Sequence, residues 1–290
     1  MLYGIGVDIS AAKTMEEAIE LSGLNWLVET KKLSVDEKVI PGYRANVTSD
    51  GKVLGIVTKQ YQIVQNIEAF TFADNIVDQI KFDTAGSLYG DRKIWVSSKF
   101  NDINAAGEKI ENYLVFSNSH DGKSSIRVAI IPIINGNAMN IPLAGTYRSW
   151  SVTHSGNINK KMDQAKETLV FAENYLAELV KQTQKMVETK LTEKQKKAFV
   201  EQLFPINPQD GDRKIDNVNE CRVQVMEAIN KIESHIDTAW QVINGVSAFV
   251  TNMQPKRSSD TFFDNKFGSI IVGNQLIDKA YKILKIKYVK

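Results

Sequence analysis

The stretch Asn112-Tyr-Leu-Val-Phe-Ser-Asn-Ser-His-Asp-Gly-Lys-Ser-Ser-Ile-Arg-Val-Ala-Ile-Ile-Pro-Ile-Ile134 decides the fold. Two apolar runs, Tyr113 to Phe116 and Ile126 to Ile134, flank the polar segment Asn118 to Ser125, and Asp121-Gly122 suits a tight turn between two strands. A second polar and aromatic cluster follows at Tyr147-Arg-Ser-Trp-Ser-Val-Thr-His154. The region 112–154 thus holds two of the three histidines and one of the four tryptophans. It also holds Arg127 and Arg148, two of the four arginines before residue 155. Polar loop tips on a rigid sheet are where binding chemistry usually sits.

Upstream, the period is again two. Trp26, Val28 and Thr30 alternate with Leu27 and Glu29, and Tyr43, Ala45 and Val47 with Arg44 and Asn46. Ser49-Asp-Gly-Lys52 signals a hairpin into Val53-Leu-Gly-Ile-Val57. Phe82 to Gly86 and Lys93 to Phe100 read as strands joined through Tyr89-Gly-Asp91, and Asp102 to Glu111 as a polar connector. Two helices interrupt this pattern. One covers Thr14 to Ser22, with Thr14 as N-cap, Glu17 at the third helical position and Gly23 as the stop. The other covers Ile67 to Ile80 with Asn66 as N-cap.

Downstream of His154 the chain reads as helical. Ile158, Met162, Ala165, Leu169, Ala172, Leu176, Leu179, Thr183 and Met186 recur at alternating steps of four and three, a heptad seam. Such a seam serves either a long helix packed on its own domain or self-association. Pro205-Ile-Asn-Pro208 breaks the run. Further helices are expected over Val218–Glu233, Thr238–Thr251 and Asn274–Ile286, with a polar loop over Gln254–Gly268. The expected class is α+β: a mostly antiparallel twisted sheet over residues 1–155, then a helical region over 156–290.

At 290 residues and 43% hydrophobic, the chain can bury a sizeable core. It has no apolar run of about 18 residues, so no membrane span is expected. The N-terminus lacks the basic flank and long apolar region of a signal peptide. The lone Cys221 excludes an internal disulfide framework and fits a reducing cytosol. Net charge is only +2, with 15 Lys/Arg against 17 Asp/Glu up to residue 155 and 21 against 17 beyond it. A nucleic-acid binder of this composition must therefore use a local patch.

Familiar enzyme signatures are missing. Gly122-Lys-Ser124 resembles the end of a Walker A loop, but Ser117 stands where its first glycine belongs. Gly4-Ile-Gly6 lacks the third glycine of a dinucleotide fold, and no zinc-binding or nucleophile-elbow motif occurs. His120, Asp121 and His154 are the residue types of a metal triad. The local alternative is a turn held by hydrogen bonds from Asn118 and Asp121, and on that reading no metal and no cofactor is expected. A guanidinium beside an indole suits a nucleic-acid strand, the cation meeting phosphate and the ring a base. The pairs Arg148/Trp150, Lys59/Tyr61 and Arg92/Trp95, together with Arg127 and Arg44, are therefore candidate contacts, and Asn118, His120 and His154 are placed to fix the groove between them.

Several stretches together resemble a family of phage/plasmid-like proteins that carry a domain of unknown function. They are Gly42-Tyr-Arg-Ala45, Tyr61-Gln-Ile-Val-Gln-Asn66, Thr84-Ala-Gly-Ser-Leu88, Asn118-Ser-His-Asp-Gly122, Trp150-Ser-Val-Thr-His-Ser-Gly156, Thr238-Ala-Trp240 and Phe267-Gly268. Members often carry Cys-x-Asn or a similar pattern after the strand ending near Ile134. Here Asn135-Gly-Asn-Ala138 stands instead, which puts any thiol role at that spot in doubt. The resemblance implies mobile-element biology and, by analogy with ring-forming single-strand annealing proteins, a homo-oligomer in the cytoplasm of a bacterial host cell. The expectation is a non-catalytic protein that binds nucleic acid, in particular single-stranded DNA during recombination or replication. The alternative is a protein–protein interaction module, such as an inhibitor of a host defence complex.

Overall fold

The computed structural model describes residues 5–70, 73–74, 78–158, 168–253 and 262–289. Antiparallel sheets and, among the described residues, seven helices, six of them after residue 167, make an α+β protein. The chain forms two compact units, each discontinuous in sequence. Unit 1 comprises residues 1–101, 112–130 and 147–173, and unit 2 comprises residues 102–111, 131–146 and 174–290.

Unit 1 opens with β1 (Val7–Asp8) and α1 (Met15–Leu21). As the sequence suggests, the Thr14 hydroxyl accepts from the Glu17 amide, and Gly23 turns the chain at φ +68°. A three-stranded sheet follows: β2 (Val28–Val35), β3 (Lys38–Thr48) and β4 (Val53–Thr58), with Gly51 supplying the positive φ of the Asp50-Gly51 turn. The main sheet takes β5 (Lys81–Leu88) and β6 (Lys93–Lys99), then β8 (Glu108–Ser119), β9 (Ile126–Ile134) and β11 (Ser149–Val152), in the order β1-β5-β6-β8-β9 with β11 also on β9.

Alternation assigns the faces of this sheet. Leu114, Val128, Ile130 and Trp150 line one small cavity together with Arg148 and Phe171, so even positions of β8, β9 and β11 share a face. Phe116 lies on the same face and meets Phe70. The odd positions Arg127, Ser149 and Ser151 of β9 and β11 turn the other way, with Ser117 and Ser119 of β8 and, through the β6–β8 register, Lys93 and Trp95.

In unit 2, β7 (Ile103–Ala105) pairs with the start of β8, and β10 (Asn137–Ala138) with the end of β9. The helices are α2 (Thr168–Glu188), α3 (Glu193–Leu203), α4 (Asp212–Asn230), α5 (Ala239–Asn252), α6 (Phe262–Val272) and α7 (Gln275–Lys287). Helix α5 is the core element: it packs on α4, α7 and β10, and nearly every residue is buried. A Cβ at Gly245 would sit 2.5 Å from the Ile229 Cα, so only glycine lets α5 approach α4 this closely. The Ser247 hydroxyl donates to the Ala138 carbonyl at 2.5 Å, and the Trp240 indole to Glu108 Oε2 at 2.9 Å.

Three expectations need correction. Residues 67–70 and 73–74 form tight turns, not a regular helix: Phe70 bonds Ile67 and Ala73 bonds Phe70, three residues back. Asn66 is no cap there, since its amide donates to the Leu24 carbonyl. The connector 102–111 is a hairpin, turned by Ala106 (φ +50°) and Gly107 (φ +82°). Part of the expected loop 254–268 is helix α6. Of the two readings of the heptad seam, its described part follows the first, a helix packed within its own chain: Ala172, Leu176, Leu179, Thr183 and Met186 are all buried. Met162, Ala165 and the Leu169 side chain lie outside the described residues. Among the described residues no helix is long and apolar enough to cross a membrane.

Candidate functional site

Three segments of unit 1 meet in a polar cleft of about 490 Å³: Thr58 to Tyr61 after β4, Gly122 to Ser125 between β8 and β9, and Thr153 to Ser155 after β11. Each is held in place by backbone chemistry. Asp121 Oδ1 accepts from the Lys123 amide at 2.9 Å, the local turn bond that an Asp-Gly pair favours. Ser119 clamps the far side of the turn, its hydroxyl donating to the Ser124 carbonyl at 2.9 Å. A Cβ at Gly55 would come within 2.5 Å of the Asp121 Cα, so β4 lies directly against this turn. The third segment is locked by two reciprocal bonds, the Gln62 amide to the His154 carbonyl at 2.8 Å and His154 Nδ1 to the Gln62 carbonyl at 3.1 Å.

The second bond fixes the His154 tautomer. A carbonyl only accepts, so Nδ1 carries the proton and Nε2 keeps its lone pair. That Nε2 is buried and has no hydrogen-bond partner. The ring stacks on Tyr61, centroids 4.6 Å apart and planes 14° apart. Burial pushes the His154 pKa below the usual histidine range, so the neutral form is the resting one. The Tyr61 hydroxyl donates to the Ser119 carbonyl at 2.5 Å, and burial and the charge of Asp121 raise its pKa. The cleft is lined by Lys123, Gln60 and the hydroxyl-bearing Thr58, Ser124, Ser125, Thr153 and Ser155, while His154 Nε2 is itself buried.

Of the residues singled out in the sequence, Tyr61 and His154 line the cleft, and Lys59 is exposed beside it in sequence. The others divide. His120 is fully buried: its Nε2 bonds Asn66 Oδ1 at 2.7 Å, and Trp26 meets its ring edge at 5.5 Å. Asn118 is buried and donates to the Val64 carbonyl, so it does not hold the turn. Trp95 is 1% exposed and cannot receive a base; a Cβ on Gly6 would lie 2.7 Å from its ring and one on Gly86 3.2 Å. Arg44 is half-buried and donates to the Tyr61 carbonyl, bracing the backbone rather than a ligand. Arg92 is exposed.

Arg127 and Trp150 do not share the expected common surface. Ser151 pairs with Arg127 and Trp150 with Val128, so the one-residue offset puts Arg127 on the sheet face opposite Trp150; Arg148 precedes β11, and its charge acts on Arg127. Tyr61 is likewise occupied, by His154 on its ring and Ser119 on its hydroxyl. Among the described residues no group of three His, Cys, Asp or Glu is placed to hold a metal, and His120 Nε2 is already engaged. A larger cavity of about 870 Å³ in unit 2 is lined by Leu143, Tyr281, Lys282, Lys285 and Ile286, and holds none of the singled-out residues.

Sequence reasoning passed over Lys123, Ser124, Ser125 and Thr153. The available signal was hydroxyl density at both turn segments, which in a single sequence looks like ordinary loop polarity.

No curated protein and no solved structure matches this chain. One family model does, described as a domain of unknown function (DUF932), over residues 53–267. The match runs from the first residue of β4 into α6 and takes in all three segments of the cleft. The chain belongs to the DUF932 family.

Proposed function

We propose that unit 1 binds a single-stranded nucleic acid without cleaving it, gripping phosphate and sugar in the polar cleft and leaving the bases unstacked. The observation that carries this reading is the composition of the cleft wall. Five Ser and Thr residues, Lys123 and the Gln60 amide line it, groups suited to phosphate and sugar oxygens. Trp95 and Tyr61 supply no stacking surface in this mechanism, because both are buried and already packed. The resemblance to phage/plasmid-like proteins supports the same direction, and on this reading the protein serves mobile-element recombination or replication in the host cytoplasm.

Fluorescence anisotropy with labelled oligonucleotides tests it. Binding at low salt should weaken as salt rises, with a log–log slope of roughly −0.7 per phosphate contacted, and should differ little between base compositions. Lys123→Ala should cut affinity several-fold without changing the thermal midpoint. No affinity for any oligonucleotide at low salt would end the proposal. Capture of a stoichiometric host protein that survives nuclease treatment would redirect it towards the protein-interaction alternative.

A further inference from the structure

The cavity of about 870 Å³ in unit 2 lies between one face of α7 and the segment Pro142-Leu143-Ala144. Its floor is apolar and fixed. Leu143 and Tyr281 are both buried, and the Tyr281 hydroxyl donates to Gln182 Oε1 at 3.3 Å. The segment leading into Leu143 is anchored twice, by the Tyr175 hydroxyl on the Ile141 carbonyl at 2.9 Å and by the Asn140 amide on the Ile270 carbonyl at 2.6 Å. Pro142, Ala144 and Ile286 stand exposed at the margin, Ile286 at 75%. Small-molecule sites are largely preformed, mostly apolar hollows of about 300–1,000 Å³ with a few polar groups that fix orientation. This cavity has that size and that lining.

The polar groups are cationic. Lys279, Lys282 and Lys285 recur at steps of three along α7, and Asp278 is the one acid among the described lining residues. Like charges at this spacing are neighbours on a helix surface and destabilise it, so each needs a reason. Lys279 has one in the fold: its ammonium donates to the Leu203 carbonyl at 2.6 Å, at the end of α3. Lys285 lies over the Tyr281 ring, 5.8 Å from the centroid, and as a last-turn cation it complements the α7 dipole. Lys282 has neither role. Among the described residues, neither Lys282 nor Lys285 forms an ion pair. Two ammoniums one turn apart above an apolar floor match a ligand with a hydrocarbon body and a single anionic end. A protein partner fits less well, because ten described residues line the cavity, against roughly 20–30 a side in a stable protein interface.

We infer that this cavity binds a small amphipathic anion, an apolar chain ending in a carboxylate or phosphate. The chain lies against Leu143, Tyr281 and Ile286, and the charge sits between Lys282 and Lys285. The inference concerns unit 2 and does not rest on strand binding in unit 1.

Calorimetry on the full-length protein, with dodecanoate kept below its micelle concentration, tests this. Dodecanoate should bind at a single saturable site, and the shorter hexanoate several-fold more weakly. Dodecyltrimethylammonium, with the same chain and the opposite charge, should also bind several-fold more weakly, and added salt should narrow that gap. The double variant Lys282→Gln/Lys285→Gln should lose the preference for the anion while keeping the wild-type thermal midpoint, because both side chains are exposed. Ile286→Asp, also at an exposed position, should weaken dodecanoate several-fold, and serves alone should the double variant fail to fold. Comparing dodecyl phosphate with dodecanoate names the head group, the tighter of the two being the one the lysines suit. Equal affinity for the anionic and cationic amphiphiles overturns the inference, as does non-saturable uptake or full affinity retained in the variants. Binding of an acidic amphipathic peptide beside no affinity for any amphiphile would also overturn it and assign the cavity to a protein partner.

Discussion

His120 shows how a residue selected for its chemistry can be consumed by structure. The Asn66 amide donates to the Leu24 carbonyl at 2.7 Å, which leaves Asn66 Oδ1 to accept, so His120 Nε2 must carry the proton. Its Nδ1 is buried and unpaired, and the Asn46 amide closes the site by donating to the His120 carbonyl at 2.7 Å. Burial pushes its pKa down to about 3, with the nearby His154 adding in the same direction. Above about pH 6.5 both folded and unfolded chains hold this imidazole neutral. Below that, the unfolded chain takes up a proton that the folded chain refuses until about pH 3, so stability falls with acidity across this window. The loss is about 1.4 kcal/mol per pH unit from this one group. Urea titrations at pH 7, 6 and 5 should show it, and His120→Gln, which can still donate to Asn66, should flatten the profile. An unchanged slope in that variant would mean the acid sensitivity lies elsewhere. In the sequence His120 looked like a ligand because it adjoins an Asp-Gly turn, but its fate depends on Asn66, Leu24 and Asn46, all more than fifty residues away, and local spacing carries no trace of them.

Elements were legible where local chemistry alone decides them. The Asp50-Gly51 turn and the Thr14 cap stand as the residues indicate, because each needs only neighbours within a few positions. The hairpin at 102–111 escaped notice because non-glycine Ala106 takes half of its left-handed turn. The offset of Arg127 from Trp150 depends on a β9–β11 register that no period can supply. The α2 seam carries the clearest prediction at this scale. Its regularity equally suits a coiled coil between subunits and a helix buried in its own chain, and the complete burial of Leu179, Thr183 and Met186 selects the second. Leu179→Ala should therefore cost about 2–5 kcal/mol, as deletion of a fully buried leucine does. The native mass in solution, read by light scattering, should be that of the wild type. A variant that keeps its stability but drops to a smaller assembly would instead make α2 the subunit interface.

At the scale of the whole molecule, a switch from period two to period 3.6 near residue 155 invites a single cut into an N-terminal and a C-terminal half. The contacts are arranged otherwise, because strands β8 and β9 and helix α2 each begin in one unit and continue into the other. Unit 1 needs residues beyond 155: Ile158 is 4% exposed, and Phe171 meets Tyr147 edge-on at 5.9 Å. Unit 2 needs residues before it. Met139 and Ile141 are fully buried, Asn140 donates to the Ile270 carbonyl at 2.6 Å, the Ile141 carbonyl accepts from the Tyr175 hydroxyl at 2.9 Å, and Glu108 accepts from Trp240. A fragment of residues 1–155 would expose this apolar set to water and leave its backbone carbonyls without their donors, each a cost of about 1–3 kcal/mol against a typical total stability of roughly 5–15 kcal/mol. It should show no cooperative thermal transition and should bind a hydrophobic dye, while the intact chain melts cooperatively. A sharp transition with well-dispersed amide resonances from that fragment would show that the sheet is self-sufficient, and that the contacts made by residues 102–111 and 131–146 with the later helices are dispensable for folding.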